Sequence, residues 1–318
     1  MLGPRYGASI GDLARVWNSL LDRTCSFSTA VFEEIEGAKI KIHGVGVSVF
    51  VTDDFLQEAK AHPSFWLGPE LTRRIAKGRS PILSEKQVTA ANTGEGLNLA
   101  IWQNSVSPEA LRRPDIGELC VRAFLNNHYG YRLNEVISQA ESPDHFTAML
   151  NAGALYYDAR TNAYRRFDGL DLMEVFAEPH LIGLDRKTAP RIFGSWLATL
   201  FIYRPPLLGF SRSEQRLLST ALEGGTDEAL AHTLGISLFA VKKSWRAIYD
   251  RSTSRLPELF RDSSSSDKAT QDRGKEKKRR IIAYLREHPE ELRPVSRKLL
   301  SKGEINHFRS PADNSRPG

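Results

Sequence analysis

Cysteine is nearly absent: Cys25 and Cys120 are the only two in 318 residues. Their spacing fits no metal-binding pair, and they read as reduced thiols of a cytosolic protein. Long hydrophobic runs are also lacking. No window approaches about 18 consecutive apolar residues, so no membrane span is expected. In "MLGPRYGASIGDLARVWNSLLDR" acidic Asp12 precedes any long apolar run, which argues against a secretory signal. The 8 histidines form no H-x-H or H-E-x-x-H pattern. "FSRSE" and "SSSSD" are not nucleophile elbows, and "GVGVSV" lacks the third glycine and following helix of a dinucleotide loop. No catalytic constellation, cofactor motif or metal set emerges, and the expectation is a protein that acts by binding. Asp53-Asp54 after a strand could bind a cation, but a helix N-cap is its first use. "ANTGEG", Asn92 to Gly96, reads as a plain loop before an anion nest.

What is present is an asymmetry of charge. Residues 1–203 hold 21 Lys and Arg against 23 Asp and Glu, a net of −2. Residues 204–318 hold 23 against 15, a net of +8. A basic final third points to a polyanion partner, set against the plainer reading of a solvated tail.

The length suits two domains and the composition divides the chain into three regions: 1–204, 205–260 and 261–318. "YRPPLLGFS" marks the first boundary, because Pro205-Pro206 cannot continue a helix. In the first region helices are expected at 10–22, 28–36, 53–62 and 69–77. Ile40, Ile42, Val45, Val47, Val49 and Val51 alternate as a strand, with a phase slip near Gly44 that reads as a bulge. "GLNLAIWQNS" is a second strand. A long helix fits Pro114 to Ala140, and another fits 187–202. "GALYYDARTNAYRRFDG" reads as a hairpin turning at "ARTN". Mixed helices and short antiparallel strands make an α+β domain, loosely like PAS or GAF sensor folds by analogy alone.

The second region reads as an all-α helix-turn-helix domain. Ser211 and Glu214 form a capping box for a helix faced by Leu217, Leu218 and Leu222 and ended by Gly224-Gly225. Thr226 caps a second helix with Ala229, Leu230, Ala231 and Leu234 on its apolar face. Gly235 turns the chain, Ile236 is expected to plug between the helices, and Ser237 caps a third. On that third helix Leu238, Val241, Trp245 and Ile248 share one face. Phe239, Lys243, Arg246 and Asp250 lie opposite, with Lys242 on the flank. A helix held by its apolar side and carrying basic residues outward suits a major groove.

"FSRSEQRLL…ALEGGTDEALAHTLGISLFAVKKSWRAIY" resembles the LuxR-type (GerE) DNA-binding domain of bacterial transcriptional regulators. The likeness rests on Glu214, Gly224, Ala231, Leu234 to Ser237, Val241, Lys242 and Ile248-Tyr249. It implies double-stranded DNA as partner, a homodimer in the cytoplasm, RNA polymerase as a further contact, and a small-molecule or protein signal read by the first domain. It also implies DNA contacts for Lys242, Lys243 and Arg246, with Phe239 and Ser237 beside them. The chain departs from that pattern in three places. Leu238 and Phe239 are apolar where polar residues are usual, Asp227 and Glu228 make the second helix acidic, and Pro257 breaks "RLPELF" where a fourth helix belongs. Beyond the serine linker, Ile281, Ile282, Tyr284 and Leu285 form an apolar patch on a helix expected over 275–287. That helix would replace the fourth, either docking on the module or pairing with its copy, and Lys275, Lys277, Lys278, Arg279 and Arg280 would add a phosphate-binding stripe. From another class, the rival reading is a protein–protein adaptor whose helix-turn-helix no longer touches DNA. A third, an enzyme fused to a DNA-binding domain, would need a catalytic cluster in a pocket of 1–204.

Overall fold

The computed structural model describes residues 6–21, 26–35, 39–61, 65–140, 143–167, 179–264 and 270–296. Cys25, much of the serine linker and the chain beyond residue 296 lie outside these. Two units separate, Met1–Tyr203 and Arg204–Gly318.

The first unit is α+β. Its described strands are β1 (Ser26–Ile35), β2 (Lys39–Val51), β3 (Leu97–Val106), β4 (Leu133–Gln139), β5 (Leu155–Asp158), β6 (Ala163–Arg165) and β7 (Leu181–Asp185). They form one sheet in the order β1-β2-β3-β4-β7-β5-β6. Every pair is antiparallel except β3 with β4. A parallel pair needs a crossover, and helix Pro114–His128 supplies it. The other helices are Ile10–Asn18, Asp53–Ala61, Leu67–Ala76, Glu85–Thr93 and Pro143–Asn151. We number the six α1 to α6 in chain order, so the crossover is α5. Val49, Phe50, Leu99, Val136, Ile137 and Ile182 are each at most 1% exposed and form the centre of the core. The phase slip near Gly44 is a bulge: pairing steps from Val31 opposite Gly44 to Phe32 opposite Ile42, leaving His43 as the extra residue. Asp53 and Asp54 stand in the first turn of α2, where Asp53 accepts a hydrogen bond from Asn98 at 2.5 Å. The hairpin at "ARTN" forms as β5 and β6, with Asn162 at φ 49°.

Three expectations fail, each through a tertiary cause. Of the helix expected over 28–36, residues 28–35 are strand instead, because β1 runs through them and pairs along β2, and residue 36 lies outside the described residues. Long-range ladder bonds there outweigh a helical spacing of Val31, Phe32 and Ile35. The helix from Pro114 stops at His128, and Gly130, at φ +82°, turns the chain into β4. That glycine, followed by β-branched Val136 and Ile137, is a stop signal that could have been read. Residues 187–202 form two 3-10 turns, Ala189–Arg191 and Leu197–Phe201, because Pro190 and Gly194 interrupt the helical pattern.

The second unit has no strand among its described residues. Its helices are α7 (Arg212–Leu222), α8 (Asp227–Leu234), α9 (Leu238–Arg255) and α10 (Thr270–Glu287), with 3-10 turns at Pro257–Ser264 and Pro289–Leu292. Leu208, Phe210, Leu217, Leu218, Leu230, Val241, Trp245 and Ile248 share one core with Ile281 and Leu285 of α10. The apolar patch of α10 is thus consumed inside its own unit, with Ile282 and Tyr284 packed at its margin.

The final turn closes the unit onto its first residues. Glu291 is 1% exposed, and its Oε1 accepts from the backbone N–H groups of Leu207 at 2.8 Å and Leu208 at 3.2 Å. Tyr284 donates to the same oxygen at 3.2 Å. Burial pushes the Glu291 pKa up, against the lowering effect of those hydrogen bonds. Glu291→Ala strands two buried N–H groups and should cost about 2–4 kcal/mol of unit stability. Glu291→Gln keeps an acceptor, sheds the buried charge and should cost clearly less. A raised folded pKa means that the carboxyl's contribution is fully present at low pH and fades as pH rises through that pKa. Thermal melts of parent and Gln variant should therefore diverge in favour of Gln as pH rises.

Candidate nucleic-acid interface

Each of α7, α8 and α9 begins with a side-chain cap that its sequence specifies. The Ser211 hydroxyl accepts from the Glu214 N–H at 3.3 Å, and Glu214 accepts from the Ser211 N–H at 2.6 Å. Thr226 accepts from the Ala229 N–H at 3.3 Å, and Ser237 from the Ala240 N–H at 3.2 Å. Glu214 does more than cap. It is buried and receives Arg251 of α9 at 3.2 Å, which ties α7 to α9. Burial raises its pKa, yet the Ser211 groups and the Arg251 charge hold it below the ordinary range.

Between α8 and α9 the chain turns on Gly235, which is left-handed at φ 64°, ψ 35°. Glycine fits there because a Cβ disfavours positive φ. Its neighbour Ile236 is 41% exposed, which corrects the expectation of a plug between the helices. A backbone bond from Ile236 N–H to the Ala231 carbonyl at 3.0 Å closes the turn. The inner anchors are Leu230, Val241, Trp245 and Ile248, none more than 3% exposed.

With α9 held from behind, its other side carries the residues singled out above. Lys242, Lys243 and Arg246 are all exposed, and Phe239 is 77% exposed. Ser237, capping the helix, is exposed at its N-terminal end. The four side chains of Phe239, Lys242, Lys243 and Arg246 occupy the first half of α9, two turns of one helix.

The acidic start of α8 has a partner that local sequence does not announce. Lys278 of α10 pairs with Asp227 at 2.9 Å and stands over the Trp245 ring at 5.1 Å. Glu228 is held below the usual carboxylate range first by its own backbone N–H, then by Thr226, with the Lys242 charge adding last. Tyr249 stacks on Trp245 at 5.7 Å and donates to the Gly274 carbonyl at 3.3 Å, a second tie from α9 to α10.

Four of the five basic residues expected to form a phosphate-binding stripe along α10 also have partners inside the unit. Lys278 serves Asp227, and Arg279 and Arg280 both clasp Glu276, at 2.9 Å and 3.0 Å. Those two arginines hold the Glu276 pKa down to about 2. Lys277 lies over the Phe260 ring at 5.7 Å. Two carboxylates, Glu276 and Asp227, offset two of its five positive charges, and Lys275 and Arg279 stay exposed, so the run remains net positive while bracing the unit.

In the first unit one buried carboxylate is paired in the same way. Glu135, 7% exposed, accepts from Lys60 at 3.0 Å and from the Tyr164 hydroxyl at 2.7 Å. Among the described residues no group of three or more His, Cys, Asp and Glu is placed to hold a metal ion. No described helix is long and apolar enough to cross a membrane. No protein family, curated protein or solved structure matches this chain with statistical significance.

Proposed function

We propose that this chain is a cytoplasmic, sequence-specific DNA-binding regulator of transcription in bacteria. Its second unit would act as a LuxR-type helix-turn-helix module, with α8 and α9 as the paired helices. The observation that carries the reading is the outward face of α9, where Lys242, Lys243 and Arg246 stand exposed over the buried anchors Val241, Trp245 and Ile248. A helix so presented fits the major groove, with Lys243 and Arg246 reaching base edges and Lys242 a phosphate. Ser237 at the helix start adds a polar group beside the backbone. The neutralisation of Asp227 by Lys278 supports the reading, because it removes a negative charge from the helix next to that face. The first unit would sense a signal and form the homodimer, leaving RNA polymerase to be met by the bound protein.

Phe239 favours a second reading, a protein–protein adaptor, since an aromatic ring 77% exposed also suits a protein contact. Selection of bound duplexes from a random library by the full chain separates the two. A recurrent motif is the expected result, and recovery of no preferred sequence would favour the adaptor. Phe239→Ser refines the same experiment. It should leave melting within about 0.5 kcal/mol of the parent, as exposed substitutions do. Preference for thymine at one position should fall, because the ring packs on a thymine methyl. Identical selected motifs from both proteins would refute that contact.

A further inference from the structure

"GVGVSV" is no dinucleotide loop, but its glycines have a use on the sheet. Pairing sets Thr29 opposite Gly46 and Val31 opposite Gly44, so these four share one face with Phe27 and Ser48. Without side chains at 44 and 46 that face is recessed beneath α5, and a cavity of about 370 Å³ remains between them. A Cβ at Gly46 would meet only the Gln103 carbonyl, at 4.0 Å, and one at Gly117 of α5 would meet nothing within 4 Å. Neither glycine sits in the left-handed region, so the backbone does not require glycine at either position. Glycine within a strand weakens it and marks where something approaches the backbone closely.

We propose that this cavity binds an uncharged, ring-bearing small molecule carrying a hydrogen-bond donor. One wall is aromatic: Phe27 and Phe124 lie 4.7 Å and 4.4 Å from the His128 ring, and Trp196 is 6.0 Å from Phe124. Such rings offer faces and edges to another ring. Among the polar side chains of the lining, Ser48 and His128 are oriented by their own hydrogen bonds. His128 Nδ1 lies 2.6 Å from the Phe124 carbonyl, which can only accept, so in the neutral ring Nε2 is the bare nitrogen. The Ser48 hydroxyl donates to Nε2 at 2.8 Å, leaving the serine oxygen able to accept from a ligand N–H or O–H. The only Arg, Lys, Asp or Glu side chains in the lining are Arg112 and Arg113. Arg113 is held by Glu33 at 3.1 Å and Asp115 at 2.7 Å, and Arg112 is exposed. A charged group carried to the glycine floor would lose its hydration without a counter-ion.

The inference gives the proposed sensor domain a ligand class, and it is tested without DNA, so failure of the regulator reading leaves it standing. N-phenylnaphthylamine, an uncharged aromatic amine with one N–H, is titrated into the full chain and followed by fluorescence. Saturable binding at a single site is expected. Gly46→Leu and Gly117→Leu fill the cavity from opposite walls, and each should weaken binding by about tenfold or more. Their melting temperatures should stay level or rise, since both glycines have room for a side chain; if one variant misfolds, the other decides. Anilinonaphthalene sulfonate, which adds a charge to the same rings, should bind the parent about tenfold more weakly or worse. Equal binding of the amine by the parent and a folded cavity-filled variant would overturn the site. Equal binding of the sulfonate would overturn the uncharged class.

Discussion

Replacing Lys242, Lys243 and Arg246 together by alanine should weaken specific DNA binding by about 2–6 kcal/mol, with thermal melting unchanged. The size follows from the roles proposed for the three residues. Lys243 and Arg246, on the face opposite Val241 and Trp245, would each supply base contacts worth about 1–3 kcal/mol. Lys242, on the flank beside Glu228, would hold a phosphate, so its loss lowers affinity evenly over all sequences. Removing one phosphate contact should also lower the slope of log affinity against log salt by roughly one. Melting should not move because all three side chains are exposed and none carries a core contact. Binding isotherms at several salt concentrations check both parts. A triple variant that binds as tightly as the parent transfers the function to the adaptor reading.

Deleting residues 268–318 should abolish cooperative folding of the second unit while the first keeps its own melting transition. The deletion removes Ile281 and Leu285, 0% and 1% exposed, from a core they share with Leu217, Val241 and Ile248. Losing large buried side chains of this kind costs about 2–5 kcal/mol each. It also removes Glu291, leaving the Leu207 and Leu208 N–H groups without their acceptor, at about 1–3 kcal/mol apiece. The total rivals the roughly 5–15 kcal/mol that holds a whole domain together. The Lys278 pair with Asp227 goes too, restoring the acidic start of α8. Calorimetry of the truncated chain should show one transition where the parent shows two. If both transitions survive and only salt-sensitive DNA attraction falls, the tail contributes charge alone.

Much of the second unit was legible because its signals are local. Ser211, Thr226 and Ser237 each act within one helical turn, and Gly235 turns the chain where the pattern breaks. The outward placement of Phe239, Lys242, Lys243 and Arg246 follows from a period of 3.6 residues and needs no knowledge of neighbours. Ile236 was misjudged because an apolar residue in a turn has no period to fix its side. In the first unit, β2 and its bulge at His43 could be read from alternation alone. By contrast, β1 could not, since its residues carry helical spacing and become a strand only when β2 pairs beside them.

By itself, then, the sequence determined the α+β character of the first unit, the caps and turns of the second, and which side of α9 faces outward. Those features depend on backbone preferences and side-chain periodicity over a few residues. The tertiary structure alone decided the rest. It set Arg279 and Arg280 on Glu276, Lys277 over Phe260 and Lys278 on Asp227, the last reached across 51 residues of chain. It also turned Gly44 and Gly46 from an incomplete motif into the floor of a cavity, with walls from α5 and Trp196. A charge or a missing side chain takes its meaning from what lies opposite it, and folding brings together residues that the sequence keeps far apart.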